Sequence, residues 1–165
     1  MVGKLAEEQD FDFYYKLKCD KENVYWSGHS NIPDKEKLRE WYLTNIKRND
    51  RFFFIFFNGE IAEDVIGYLY LDLVKGKSDL IDNGYGVYSA HTGKGYGTKI
   101  LKYGIDYAKV HLPEIIYSQC WIMTDNIGSN SMVKKLGYQK IDESKVITIA
   151  DGFEKVLEKY LLKIK

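Results

Sequence analysis

The chain has 165 residues, 45% of them hydrophobic and 15% aromatic, and its 24 basic residues cancel its 24 acidic ones. Zero net charge excludes the basic field on which general nucleic-acid binding rests. No apolar run reaches the roughly 18 residues of a membrane-spanning helix. The length suits a single domain over residues 1–165 that buries a sizeable core. Cys19 and Cys120 lack metal-ligand spacing, so no metal is expected. Without an N-terminal signal pattern, the expected setting is the cytoplasm.

The first ten residues are polar and are expected to fray. Phe11–Lys18 alternates weakly and fits either a strand or a short helix. Asn31-Ile32-Pro33-Asp34 reads as a helix start, with Pro near N1 and Asn or Asp as cap. Leu38, Trp41, Tyr42 and Ile46 then recur at helical spacing. Arg51–Phe57 is a continuous apolar run and reads as a strand buried on both faces. Asn58-Gly59 is a turn signal. Strands are expected over 65–74 and 80–88, separated by the turn Lys75-Gly76-Lys77-Ser78. The second strand contains Gly84 and Gly86, and glycine within a strand marks a bulge or a close approach.

Thr92-Gly93-Lys94-Gly95-Tyr96-Gly97-Thr98 follows as a glycine-alternating turn. A helix opens from it with the stripe Ile100, Leu101, Gly104, Ile105 and Ala108, and Pro113 lies beyond its end. Residues 115–123 read as a strand, and 126–136 as a helix closed by Gly137. Residues 138–149 and 155–164 read as two final strands joined at Asp151-Gly152. Hairpins with helices interposed indicate an α+β domain built on a mixed, mostly antiparallel sheet of six to seven strands.

The glycine turn is a candidate phosphate cradle. Little side-chain bulk lets its N–H groups converge, and the following helix adds free donors and the positive end of its dipole. A dinucleotide fingerprint needs G-x-G-x-x-G, but the third position is Thr98 counted from Gly93 and Ile100 counted from Gly95. A P-loop needs G-x-x-x-x-G-K-S/T, and Gly93-Lys94 is followed by Gly95 and preceded by Tyr88 at the first-glycine position. Both spacings fail.

The pattern that fits is Q/R-x-x-G-x-G/A, read here as Thr92-Gly93-Lys94-Gly95-Tyr96-Gly97. A second block, Asn126 and Ser129 leading to Lys135-Leu136-Gly137-Tyr138, resembles N-x-x-S/A…K-L-G-F/Y. Together and in this order they resemble the GNAT acetyltransferase superfamily from about Tyr42 onward. The ending Asp151-Gly152…Leu157…Tyr160-Leu161-Leu162 is similar to the ribosomal-protein-alanine type.

The resemblance implies a GNAT fold with helices on both faces and a sheet splayed between two central parallel strands. It implies acetyl-CoA as cosubstrate and direct acetyl transfer to an amine in a ternary complex. The acceptor would be a small-molecule amine, an amino sugar, a polyamine or a protein N-terminus, and a homodimer is possible. A non-catalytic acyl-CoA-binding module on the same fold is the alternative. The implied cosubstrate-binding residues are Val87, Tyr88, Gly93, Lys94, Gly95, Tyr96, Gly97, Thr98, Asn126 and Ser129.

A bulge near Gly86-Val87-Tyr88 would free an N–H for the thioester oxygen. The catalytic base is sought among Asp72, Asp82, Tyr88 and His91, with Asp72 and Tyr88 ranked first. Strand alternation places Tyr68, Tyr70 and Asp72 on one face, and Asp82, Gly84, Gly86 and Tyr88 together on the adjacent strand. The plainer reading makes Asp72 a solvent-facing strand residue, His91 a surface strand end and Cys120 a packing residue. The sequence departs from the family at two positions. Thr92 stands where Gln or Arg is usual. Val133 stands where a proton-donating Tyr is frequent.

Overall fold

The computed structural model describes residues 1–59, 64–149 and 152–165. Seven strands form one sheet in the order β1-β2-β3-β4-β5-β7-β6. They are β1 (Val2–Leu5), β2 (Arg51–Phe57), β3 (Val65–Leu73), β4 (Leu80–Val87), β5 (Tyr117–Met123), β6 (Gln139–Thr148) and β7 (Glu154–Lys163). The helices are α1 (Phe11–Lys18), α2 (Lys21–Trp26), α3 (Lys35–Asn45), α4 (Tyr96–His111) and α5 (Ile127–Lys135). Every pairing is antiparallel except β4 with β5, which α4 joins by a crossover.

The two faces of the sheet carry separate cores. Phe54 and Phe56 of β2 join Leu69, Leu71, Ile100, Leu101, Ile105 and Ala108 beneath α4. Phe53, Ile55 and Phe57 join Phe11, Tyr14, Leu17 and Tyr42 beneath α1 and α3. The apolar run of β2 is therefore continuous because alternate residues feed opposite cores.

The amino terminus departs from expectation. Val2–Leu5 does not fray but pairs with β2, from Val2 opposite Phe57 to Leu5 opposite Phe54. Phe11–Lys18 is helical, since Phe11, Tyr14 and Leu17 recur at three-residue spacing on the buried side. The six-residue α2 is an addition to the expected elements, capped by Asp20, whose carboxylate accepts from the Asn23 N–H. Asp34 caps α3, so Pro33 precedes the cap rather than occupying N1. Gly152 of the last turn has φ +81, and Asp151 lies outside the described residues.

Candidate functional site

Asp82 and Gln119 form the last of three parallel rungs between β4 and β5, and beyond them the two strands separate. The β3–β4 register runs without a shift from Leu73 opposite Ile81 to Gly67 opposite Val87. The expected bulge is therefore absent, and the free backbone groups have another origin. Tyr88 N–H donates to Ile66 at 2.7 Å, so Gly84, Gly86 and Tyr88 direct their polar groups toward β3. By alternation, Tyr85 and Val87 direct theirs into the gap where β5 has withdrawn. Asn83 closes the base of the fork, its Nδ2 donating to Ser118 Oγ at 2.6 Å and to the Gln119 carbonyl at 2.7 Å.

The fork opens into a cleft of about 1170 Å³ that runs past the glycine turn to the start of α5. Thr92 Oγ1 donates to the Ser89 carbonyl at 2.5 Å, so this departure from the family pattern ties the turn to its own start. Gly93 and Gly95 have φ +75 and +76, where a side chain is strained, and Gly95 caps α4 in this left-handed state. Among the described residues, none of the six N–H groups from Gly93 to Thr98 donates to a protein acceptor. Six free donors at a helix start form an anion cradle. Gly97 allows close packing, because a Cβ there would meet Met132 Sδ at 2.9 Å. Lys94 folds back, its ammonium donating to the Ala90 carbonyl at 2.8 Å.

On the far wall, Asn126 Oδ1 accepts the Ser129 N–H at 3.0 Å and caps α5. Asn126 and Ser129 both line the cleft. The structure thus brings Val87, Gly93, Gly95, Tyr96, Gly97, Thr98, Asn126 and Ser129 to one cavity. Val133 is fully buried in the core under α5, so it does not face the cleft.

The residues considered as bases are dispersed. Neither Asp72 nor Asp82 lines the cleft, whereas His91 does. The two carboxylate oxygens of Asp72 accept from Arg51 Nε at 2.6 Å and Arg51 Nη2 at 2.7 Å. Tyr88 faces a second cavity of about 490 Å³, bordered by Asp12, Lys16 and Cys19. His91 is buried rather than superficial, with Nε2 2.8 Å from Asp64 Oδ1. Asp82 has the most perturbed carboxyl: burial pushes its pKa up to about 6, opposed by Lys145 and reinforced by Asp72. Burial also pushes the Cys120 thiol up, consistent with a packing role.

The glycines of β4 serve close approach. A Cβ on Gly86 would lie 2.5 Å from Tyr68 and 2.2 Å from Asn23 Oδ1, and one on Gly84 would lie 3.0 Å from the Tyr70 ring. Both tyrosines line the cleft, together with Tyr25, Trp26 and Trp121. Asn23 carries no motif. Its spacing from the Asp20 cap is the only sequence signal, and that signal reports a helix start.

A family model described as an acetyltransferase (GNAT) domain matches residues 4–139. The fold is similar to spermidine N-acetyltransferase from Vibrio cholerae, solved with CoA and spermine. That comparison has 15% identity, coverage of 98% of this chain and 94% of the other, and a TM-score of 0.84. An N-acetyltransferase from Staphylococcus aureus Mu50 is 17% identical over 99% of this chain and 98% of its own, with a TM-score of 0.81. A protein provisionally assigned as a phosphinothricin N-acetyltransferase is 16% identical over 99% and 98%, with a TM-score of 0.83. These neighbours share the fold, and none of them singles out the ribosomal-protein-alanine type. No curated protein matches the sequence. The chain belongs to the GNAT acetyltransferase family.

Proposed function

We propose that this protein moves an acetyl group from acetyl-CoA to the primary amine of a small molecule, by direct transfer in a ternary complex. The observation that carries the reading is the run of six N–H groups from Gly93 to Thr98 with no acceptor among the described residues, beside the open β4–β5 fork. The cradle suits the pyrophosphate. The fork suits the pantetheine arm, with Tyr85 and Val87 offering backbone groups to it. Asn126 and Ser129 border the arm from α5.

When bound, acetyl-CoA supplies an activated acyl carbon. An N–H of the fork stabilises the charge that develops on its carbonyl oxygen. The amine nitrogen bonds to that carbon, the C–S bond breaks, and the sulfur leaves with the electron pair. Asp82, whose carboxyl pKa is raised by burial to about 6, takes the amine proton. It lies three residues from Tyr85 along β4, about 10 Å, so the proton crosses through water. Val133 has no proton to give, and the thiolate is protonated by solvent.

A small-molecule acceptor agrees with the neighbours, one of which was solved with spermine. Incubation with acetyl-CoA and a panel of polyamines, amino sugars, amino acids and peptides, followed by mass spectrometry, tests the reading. A monoacetylated amine is expected. The buried Val133 favours one second reading, an acyl-CoA-binding module without turnover. CoA binding with every amine unmodified would establish that alternative.

A further inference from the structure

We propose that Asn23 Oδ1 receives an N–H of the acceptor amine and so orients its lone pair on the acyl carbon. This assignment rests on the acetyl-transfer reading.

Asn23 lies on α2, is only 5% exposed, and lines the cleft. Its Nδ2 donates to Asp20 Oδ2 at 3.0 Å and to the Val87 carbonyl at 2.9 Å. Both amide hydrogens are therefore used, and this fixes which end of the amide faces the cleft. Among the described residues, no group donates to Oδ1. Oδ1 is not sealed off from the cleft that Asn23 lines, so it is free to accept from a ligand that enters.

The position of Oδ1 is equally specific. A Cβ on Gly86 would lie 2.2 Å from it, so the oxygen rests against the β4 backbone between Tyr85 and Val87. Those two residues present their backbone groups to the fork. The oxygen is on the opposite side of the sheet from α4, on the face that Tyr68 shares. It thus stands beside the proposed acyl site, on the side that the cosubstrate cradle leaves free.

The mounting is rigid. Asp20 Oδ1 accepts from Ser89 Oγ at 2.5 Å, and Asp20 Oδ2 also accepts the Asn23 N–H at 3.3 Å. Ser89, Asp20, Asn23 and Val87 form a chain that clamps α2 to the strand end just before the glycine turn. The amine dock and the cosubstrate cradle are therefore held by the same connection.

An amide oxygen only accepts hydrogen bonds, which selects for amine chemistry. A neutral primary amine has two N–H groups. One is lost as the C–N bond forms, and the other stays on Oδ1 throughout. A secondary amine has one N–H, which it must lose, so it cannot keep this bond.

The test compares n-butylamine with N-methylbutylamine, following thiol release from acetyl-CoA in wild type, Asn23→Leu and Ser89→Ala. Wild type is expected to favour the primary amine by about tenfold or more in kcat/KM. Asn23→Leu is expected to lose most of that preference and about tenfold to a hundredfold of kcat/KM for n-butylamine. Ser89→Ala loosens the clamp but retains Oδ1, so its preference for the primary amine persists. Should Asn23→Leu fail to fold, the wild-type preference alone decides. An equal rate on both amines in wild type, or an undiminished preference in Asn23→Leu, overturns the assignment and leaves acetyl transfer standing. Turnover of neither amine while a polyamine is acetylated overturns this assignment alone, and CoA binding with every amine of the wider panel unmodified overturns the acetyl-transfer reading and this assignment with it.

Discussion

Asp82 faces Gln119 on the last rung of the parallel ladder, and the sheet divides immediately beyond that pair. The position accounts for two properties of Asp82. It is buried enough to raise its carboxyl pKa to about 6, and it directly precedes Asn83, the first residue of β4 to line the cleft.

The raised pKa bears on stability. The native pKa of Asp82 lies above its unfolded value of 3.8. The folded state therefore holds an extra proton between about pH 4 and 6, and stability falls as pH rises through that window. Above it, the charged group remains a burden on the order of 1–3 kcal/mol. Asp82→Asn should raise the melting temperature at pH 8, by about 3 °C per kcal/mol, while slowing transfer. The wild-type rate should rise with pH through about 6. Thermal melts and a pH–rate profile check both expectations.

Asp72 should behave differently. Its carboxylate is held by two bonds from Arg51 at 2.6 and 2.7 Å, so its role is to tie β3 to β2. Asp72→Asn should cost about 1–3 kcal/mol of stability and change kcat far less than Asp82→Asn does. Denaturant unfolding together with steady-state kinetics separates the two aspartates.

Gly59, Gly76, Gly93 and Gly95 all have positive φ, and nothing lies within 4 Å of a Cβ on any of them. Alanine at each should cost about 1–2 kcal/mol through backbone strain alone. Only Gly93→Ala and Gly95→Ala should also weaken CoA binding, because only these two shape the N–H cradle. Calorimetric titration of the four variants measures the difference.

Val133 is fully buried under α5. Restoring the family's tyrosine with Val133→Tyr overpacks that core and should destabilise by about 1–3 kcal/mol. No gain in kcat is expected, since the position faces the core rather than the sulfur. A melt and a rate measurement on the variant suffice.

Local pattern made much of the fold legible. The apolar run of β2, the helical stripe of α4 and the caps of α3 and α5 are each carried by a few consecutive residues. The four-residue edge strand β1 and the six-residue α2 were not, because so few residues carry no distinct period. The same division holds in the site. The glycine turn and the Asn126–Ser129 cap are contiguous motifs. The fork depends on where the β4–β5 register stops, and Asn23 meets Val87 across 64 positions of chain. Asp72 drew attention as an acid on the right face, but its contact with Arg51 comes from the register between β2 and β3.

The central claim is that the cosubstrate's phosphates lie on the backbone from Gly93 to Thr98 and its arm in the β4–β5 fork. Amide proton–nitrogen spectra of the labelled protein, recorded as CoA is added, report on each of these N–H groups individually. The account predicts that the amides of residues 93–98, together with Tyr85 and Val87, move most and saturate together. CoA binding that saturates while those amides stay in place would contradict it.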